Sequence, residues 1–291
     1  MFGKVIVGVD EQQGGRDALL LAERLTGEDG ELTLAHVYAG DAHAWRGSNA
    51  AYDVAERERS LKLLTRVRDE AGVQARLACL GSPTAGRGLH ELADARGCDL
   101  LVVGSSRRSL IGRVLLGDDT RRSLNGAPCA VAIAPSGYGQ HPAAMREIGV
   151  GYDGSAESRH AFDVAAELAA QLGLKLSAFH ALPLPSYARL PKLEIPFDKD
   201  VTEARERIAA LGDVEPHAAY GLPSEELALY SASIDVLVVG SRGYGPIGRL
   251  VHGSVSGRLA GRARCPLLVL PRGVPSPARP GTAEQAELAE A

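Results

Sequence analysis

Paired cysteines are missing. Cys79, Cys98, Cys129 and Cys265 stand far apart, with no CxxC. That excludes a disulfide framework and a thiolate zinc site, and leaves small reduced thiols of the kind kept in the cytoplasm. Aromatics are scarce, at 4% with one Trp, so the stacking platforms of RNA-binding modules are absent. There is no surplus of positive charge. Lys and Arg number 32 against 36 Asp and Glu, a net charge of −4, which excludes a strongly basic nucleic-acid surface. No apolar run approaches the ~18 residues of a membrane span. The start, MFGKVIVGVD, lacks the apolar core and cleavage site of a secretory signal. The expectation is a cytoplasmic chain with neither a membrane nor a nucleic-acid partner. What remains is 45% apolar residues, mostly Ala, Val and Leu. That suffices for sizeable cores and argues against a disordered acidic chain. At roughly 100–200 residues per domain, 291 residues make one large domain or two ordinary ones.

The chain repeats itself. VIVGVD ending at Asp10 returns as IGVGYD ending at Asp153. TLAHV with His36 and Val37 returns as LSAFHA with His180 and Ala181. The turn Gly81 to Pro83 matches Gly221 to Pro223, the strand ending at Gly104 matches that ending at Gly240, and Cys129 to Pro135 matches Cys265 to Pro271. Two copies of one unit follow, each about 130–140 residues long. Within each copy short apolar runs alternate with longer amphipathic stretches. The first copy reads as strands at KVIVGV, ELTLAHV, QARLACL, DLLVVG and CAVAIA. Helices fall between them, including stretches near 50–71, 84–96 and 118–125. Such alternation predicts α/β units with right-handed crossovers: two tandem, open, mainly parallel five-stranded sheets flanked by helices. The expected domains are 1–138 and 145–273, with a linker from Gly137 and a disordered Pro-, Ala- and Glu-rich tail over 274–291. The final strands, CAVAIA and PLLVLP, are apolar on both faces. As edges they invite pairing, so the two copies are expected to meet there within one chain.

The most informative stretch is VLVVGSRGYGPIGRLVHGSVSGRL, 236–259. Gly240 and Gly243 follow a strand, and Gly253 and Ser254 open the next helix, with Ser256 one turn in. Open parallel sheets bind ligands beyond their strand carboxyl ends. Glycines let backbone N–H groups approach phosphate, and a helix start adds free N–H groups and a positive dipole. Six arginines and no acidic residue lie between Gly240 and Arg272, a field that favours an anion. Any one of these glycines is more simply a turn former. The spacing Gly-x2-Gly-x9-Gly-Ser as a set is harder to read that way. Asp153 ends the first strand of its copy, where it suits sugar hydroxyls or, alternatively, the cap of the helix starting near Ser155.

This spacing resembles the nucleotide-binding signature of the universal stress protein family, as do the VGVD and VGYDGS starts, the GxP turns and the strand-ending VVGS. The resemblance covers roughly residues 2–136 and 146–272. It implies a five-stranded α/β unit that binds ATP or a related adenine nucleotide, with or without Mg2+, and acts in stress responses without established catalysis. On that resemblance Asp153 approaches the ribose and Ala181 offers backbone groups to the adenine. Val239 and Gly240 line the nucleoside, and Arg242, Gly243, Gly253, Ser254, Val255 and Ser256 surround the phosphates. A homodimer and an unidentified regulatory protein partner are also open to such a chain. The first copy departs from the pattern: Arg107 stands for the second glycine and Asp118 for the serine, while Asp10, Gly104 and Gly117 remain. Its nucleotide site reads as degenerate.

Other readings compete. Gly243, Gly245 and Gly248 spell GxGxxG, but after the fourth strand of their copy and with no acidic residue before Glu284, so a dinucleotide fold does not follow. No P-loop, nucleophile elbow or kinase signature is present, and no catalytic or metal-ligating set stands out. His36 and His180 sit at equivalent strand ends, where a satisfied structural role is the simpler one. His252 lacks an evident carboxylate partner. Slow ATP hydrolysis, or phosphoryl transfer to Ser254 or Ser256, remains one alternative. A scaffold that does not use nucleotide is another.

Overall fold

A computed structural model describes residues 1–40, 50–105, 114, 125–140, 144–183, 197–241 and 254–271. The first copy contributes β1 (Phe2–Gly8), α1 (Gln13–Leu25), β2 (Thr26–Ala39), α2 (Ala50–Ala71), β3 (Arg76–Ser82), α3 (Ala85–Arg96), β4 (Leu100–Gly104) and β5 (Ala130–Ala134). The second contributes β6 (Glu147–Gly151), α4 (Ala156–Leu172), β7 (Lys175–Leu182), α5 (Phe197–Ala209), β8 (Glu215–Tyr220), α6 (Pro223–Tyr230), β9 (Val236–Gly240), α7 (Ser254–Leu259) and β10 (Leu267–Leu270). The expected helix near 118–125 and the tail lie outside the described residues. So does most of the first copy's glycine loop.

The ten strands form one sheet in the order β3-β2-β1-β4-β5-β10-β9-β6-β7-β8. Within each copy the described pairs are parallel. The single antiparallel pair among them joins the copies, with Ala132 opposite Leu268. The two five-stranded sheets expected from sequence are therefore halves of one sheet. The reason is visible in β5 and β10, which are buried along their whole length. Neither tolerates a free edge, and each removes the other's.

Strand alternation builds the two core layers. Val5 and Val7 point to one face with Leu100 and Val102, packed by α1 and α2 and, in the second copy, by α4 and Ile208 of α5. Ile6, Leu101 and Val103 point to the other, with α3, α6 and α7. Both layers run across the β5–β10 seam, so the copies share their core. β2 begins earlier than its apolar stretch indicates. Thr26 caps α1 through its N–H to the Ala22 carbonyl and pairs at once with Phe2, and an irregularity in register follows over the polar segment. The chain from Gly137 is less free than a linker. Buried Asp17 on α1 accepts N–H groups from Gly137 and Gly139 at 2.8 Å each. Arg24 lies over the Tyr138 ring and donates to its hydroxyl at 2.7 Å.

All four cysteines are free thiols, Cys129 and Cys265 buried and Cys79 and Cys98 half-buried. Burial raises the thiol pKa at each, to about 11 for Cys98, so they stay protonated and unreactive near neutrality. Among the described residues no helix is long and apolar enough to cross a membrane.

Candidate functional site

The site follows from topology. β6 has β7 on one side and β9 on the other. The connection leaving β6 runs through α4 on one face of the sheet, while α7 after β9 packs on the other face. Chains leaving to opposite faces open a crevice beyond the carboxyl ends of β6 and β9, the place where open α/β sheets hold ligands. A cleft of about 130 Å³ lies there.

Six of the ten residues named from sequence line it: Asp153, Ala181, Val239, Gly240, Val255 and Ser256. They come from β6's end, β7, β9 and α7. Arg242, Gly243 and Gly253 lie outside the described residues, as does the side chain of Ser254. The backbone of Ser254 opens α7, as expected.

Asp153 turns the chain from β6 into α4. Its Oδ1 accepts from the Ser155 N–H at 3.1 Å and from the Ser155 hydroxyl at 2.6 Å. The cap of α4 is Ser155, whose hydroxyl oxygen accepts the Ser158 N–H at 3.2 Å. The capping alternative therefore belongs to Ser155, and Asp153 fixes the capping residue while standing exposed at the cleft.

Gly240 has a structural reason of its own. A Cβ there would overlap the backbone carbonyl of Glu157, in the first turn of α4. Glycine lets the helix start close over the strand end. Gly104 meets the Gly14 carbonyl of α1 in the same way. These two glycines are thus explained by helix–strand contact in both copies.

The sequence reading missed Tyr152, Ser155, Glu157, Ser158, Phe179, Pro223 and Leu227, which also line the cleft. One signal was available for Phe179. In a strand of period two it shares a face with Ala181, and it gives the cleft an aromatic wall. Its ring stacks on Tyr230 with centroids 5.0 Å apart. His180, between them in sequence, is not among the lining residues. It is half-buried, and burial, then the Arg207 cation, hold its pKa below the usual histidine value. Glu157 had no signal beyond a carboxylate favoured in a helix's first turn.

The first copy keeps a matching cleft of about 180 Å³ at β1 and β4, lined by Asp10, Gly14, Gly15, His36, Val37, Leu89, Val103, Gly104 and Ser105 among others. Room alone does not distinguish the copies. The His36 Nδ1 lies 2.7 Å from the Val9 carbonyl, a satisfied edge histidine. Val9 replaces Tyr152 and Ala35 replaces Phe179. The second cleft, with an apolar wall and a polar rim of Asp153, Ser155 and Ser256, suits a flat ring joined to a hydroxylated sugar.

The model of the universal stress protein family matches residues 1–135 and 145–271. Universal stress protein Rv2005c of Mycobacterium tuberculosis is 32% identical over 180 residues, 59% of this chain and 61% of that protein. The chain thus spans under two thirds of that relative's length. Rv2319c of the same organism, also a universal stress protein, is 24% identical over 242 residues, 78% of this chain and 81% of that protein. The crystal structure of a universal stress protein from Archaeoglobus fulgidus superposes with a TM-score of 0.65 at 18% identity, covering 93% of this chain and 98% of that one. Two matches to one family model, on a chain whose halves repeat strand for strand, place this protein in the universal stress protein family as a tandem member.

Proposed function

We propose that the chain is a nucleotide-dependent stress-response sensor or regulator that holds ATP, with or without Mg2+, in its second copy. The units are domains at 1–138 and 145–273, and the setting is the cytoplasm. The reading rests on one observation. Asp153, Ala181, Val239, Gly240, Val255 and Ser256, from four separate stretches of sequence, converge on one cleft at a topological switch point. In it Asp153 meets the ribose and the Ala181 backbone meets the adenine. Val239 and Gly240 line the nucleoside. Arg242, Gly243, Gly253, Ser254, Val255 and Ser256 carry the phosphates, with the start of α7 supplying N–H groups and dipole.

The test is calorimetry of the full chain with ATP, ADP and AMP, alongside phosphate release. Affinity that rises with phosphate number, one site per chain, and loss of binding in Asp153→Ala are expected. Retained ATP without turnover supports a sensor. Turnover near the ~10 s⁻¹ of a median enzyme overturns it in favour of an ATPase. Absence of nucleotide binding overturns it in favour of a scaffold.

A further inference from the structure

The opposite end of the sheet carries a second constellation. Glu147 begins β6 and Glu215 begins β8, on either side of β7. His217 lies two residues along β8. One ligand atom from each of Glu147, Glu215 and His217 lies within 4.8 Å of the others. His217 Nε2 is 3.5 Å from a Glu215 carboxylate oxygen. Among the described residues no Lys or Arg is within ion-pair distance of either glutamate. Lys175 is the register partner of Glu147 on β7, yet no ion pair joins them.

Two carboxylates held this close repel each other unless a cation intervenes. Their setting is firm. The Ser177 hydroxyl, on the strand between them, donates to Glu147. The Ser177 and Tyr230 hydroxyls are 2.5 Å apart, and the Tyr230 ring packs on His217 at 5.7 Å. The Tyr230 hydroxyl, Ser177 and Glu147 form a chain that orients one candidate ligand, as outer-shell partners do at metal sites.

We infer that Glu147, Glu215 and His217 form a site for a divalent cation of borderline softness, of the Zn2+ class, at the amino end of the second copy's strands. Two carboxylates and an imidazole are ligands that such an ion takes, with water completing four-coordination. Ligand atoms around a tetrahedral ion of this kind stand ~3.4 Å apart. The exposed Glu215 supplies the small closure needed. The first copy is an internal control. At register-equivalent positions Lys4 pairs with Glu31 and Thr33 with Arg76, where the second copy pairs Glu147 with Lys175 and Ser177 with Glu215. The signs are inverted, and Lys4, Arg76 and Arg96 line that end with one carboxylate, Glu31, which is already paired with Arg76. A cation has no place there.

The experiment uses the untagged full chain, stripped with chelator and titrated with Zn2+ by calorimetry, then with Co2+ by absorption. One equivalent of Zn2+, affinity reduced more than tenfold in each of Glu147→Gln, Glu215→Gln and His217→Gln, and a Co2+ spectrum without a thiolate charge-transfer band are expected. Absence of stoichiometric Zn2+ binding, a thiolate band, or unchanged affinity in the variants would overturn the site. Should a variant melt early, the stoichiometry and Co2+ spectrum of the unmodified chain decide. Nucleotide titration of the same samples separates this site from the cleft, since the two lie at opposite ends of the strands.

Discussion

The two halves of the sheet agree where the backbone needs support and differ where ligands would touch. Asp99 accepts the N–H groups of Gly3 and Lys4 at 3.0 and 2.8 Å. Asp235 does the same for Arg146 and Glu147 at 2.8 and 3.0 Å. Gly104 and Gly240 both yield to a helix carbonyl. Against that shared frame, Val9 faces Tyr152 in the alignment, Ala35 faces Phe179, Lys4 faces Glu147 and Arg76 faces Glu215. A duplicated unit keeps the groups that pair its strand ends, because losing one leaves two adjacent backbone N–H groups at a strand start without their protein partner. Side chains at the two rims carry no such constraint, and there the copies have separated.

The sharpest way to break this comparison is to count nucleotides. One ATP per chain is expected, in the second copy. At 118 an aspartate stands where the signature has serine. An aspartate at that motif position is expected to compete for the N–H donors and to repel phosphate, by about 4 kcal/mol for unit charges ~4 Å apart at an effective dielectric of 20. That is roughly a thousandfold in affinity. Gly253→Val should abolish binding, and Arg107→Gly with Asp118→Ser should raise affinity in the first copy. Two equal sites in calorimetry of the intact chain would erase the asymmetry.

A smaller effect concerns Asp17, which has His160 as its counterpart. Asp17→Ala strands two N–H groups at the segment from Gly137, at a cost of about 3 kcal/mol. Chemical denaturation should record this, with His160→Ala costing clearly less. Next, Gly104→Ala and Gly240→Ala should destabilise alike, by about 1–3 kcal/mol each, through overpacking against the helix start. A loss confined to Gly240→Ala, seen as reduced ATP affinity at unchanged stability, would make that glycine a ligand contact alone.

The smallest effect is in pH. Burial lowers the pKa of His180 and of His160, both in the second copy. Folding therefore releases protons from them. Their contribution is neutral well above the ordinary histidine value, and stability falls as pH drops through and below it. Thermal melts between pH 7 and 5 should show the midpoint falling, and falling less in His180→Leu.

Sequence alone determined the duplication, the succession of strands and helices along each copy and the joining of the final strands. Those follow from apolar runs, turn residues and the cost of a bare edge, which are local or nearly so. Resemblance to the family signature named Asp153, Ala181, Val239, Gly240, Val255 and Ser256, and Asp153 was legible besides as the residue that ends its copy's first strand. Only the tertiary structure decided the rest. The merging of two sheets into one with a common core depends on both faces of β5 and β10 being covered at once. The placement of Phe179 in the cleft, with His180 left out of it, depends on which face of β7 looks at the crevice. Glu147, Glu215 and His217 are brought together by the crossover that sets β6 and β8 on either side of β7. Proximity of that kind is a property of strand order, and no window of sequence contains it.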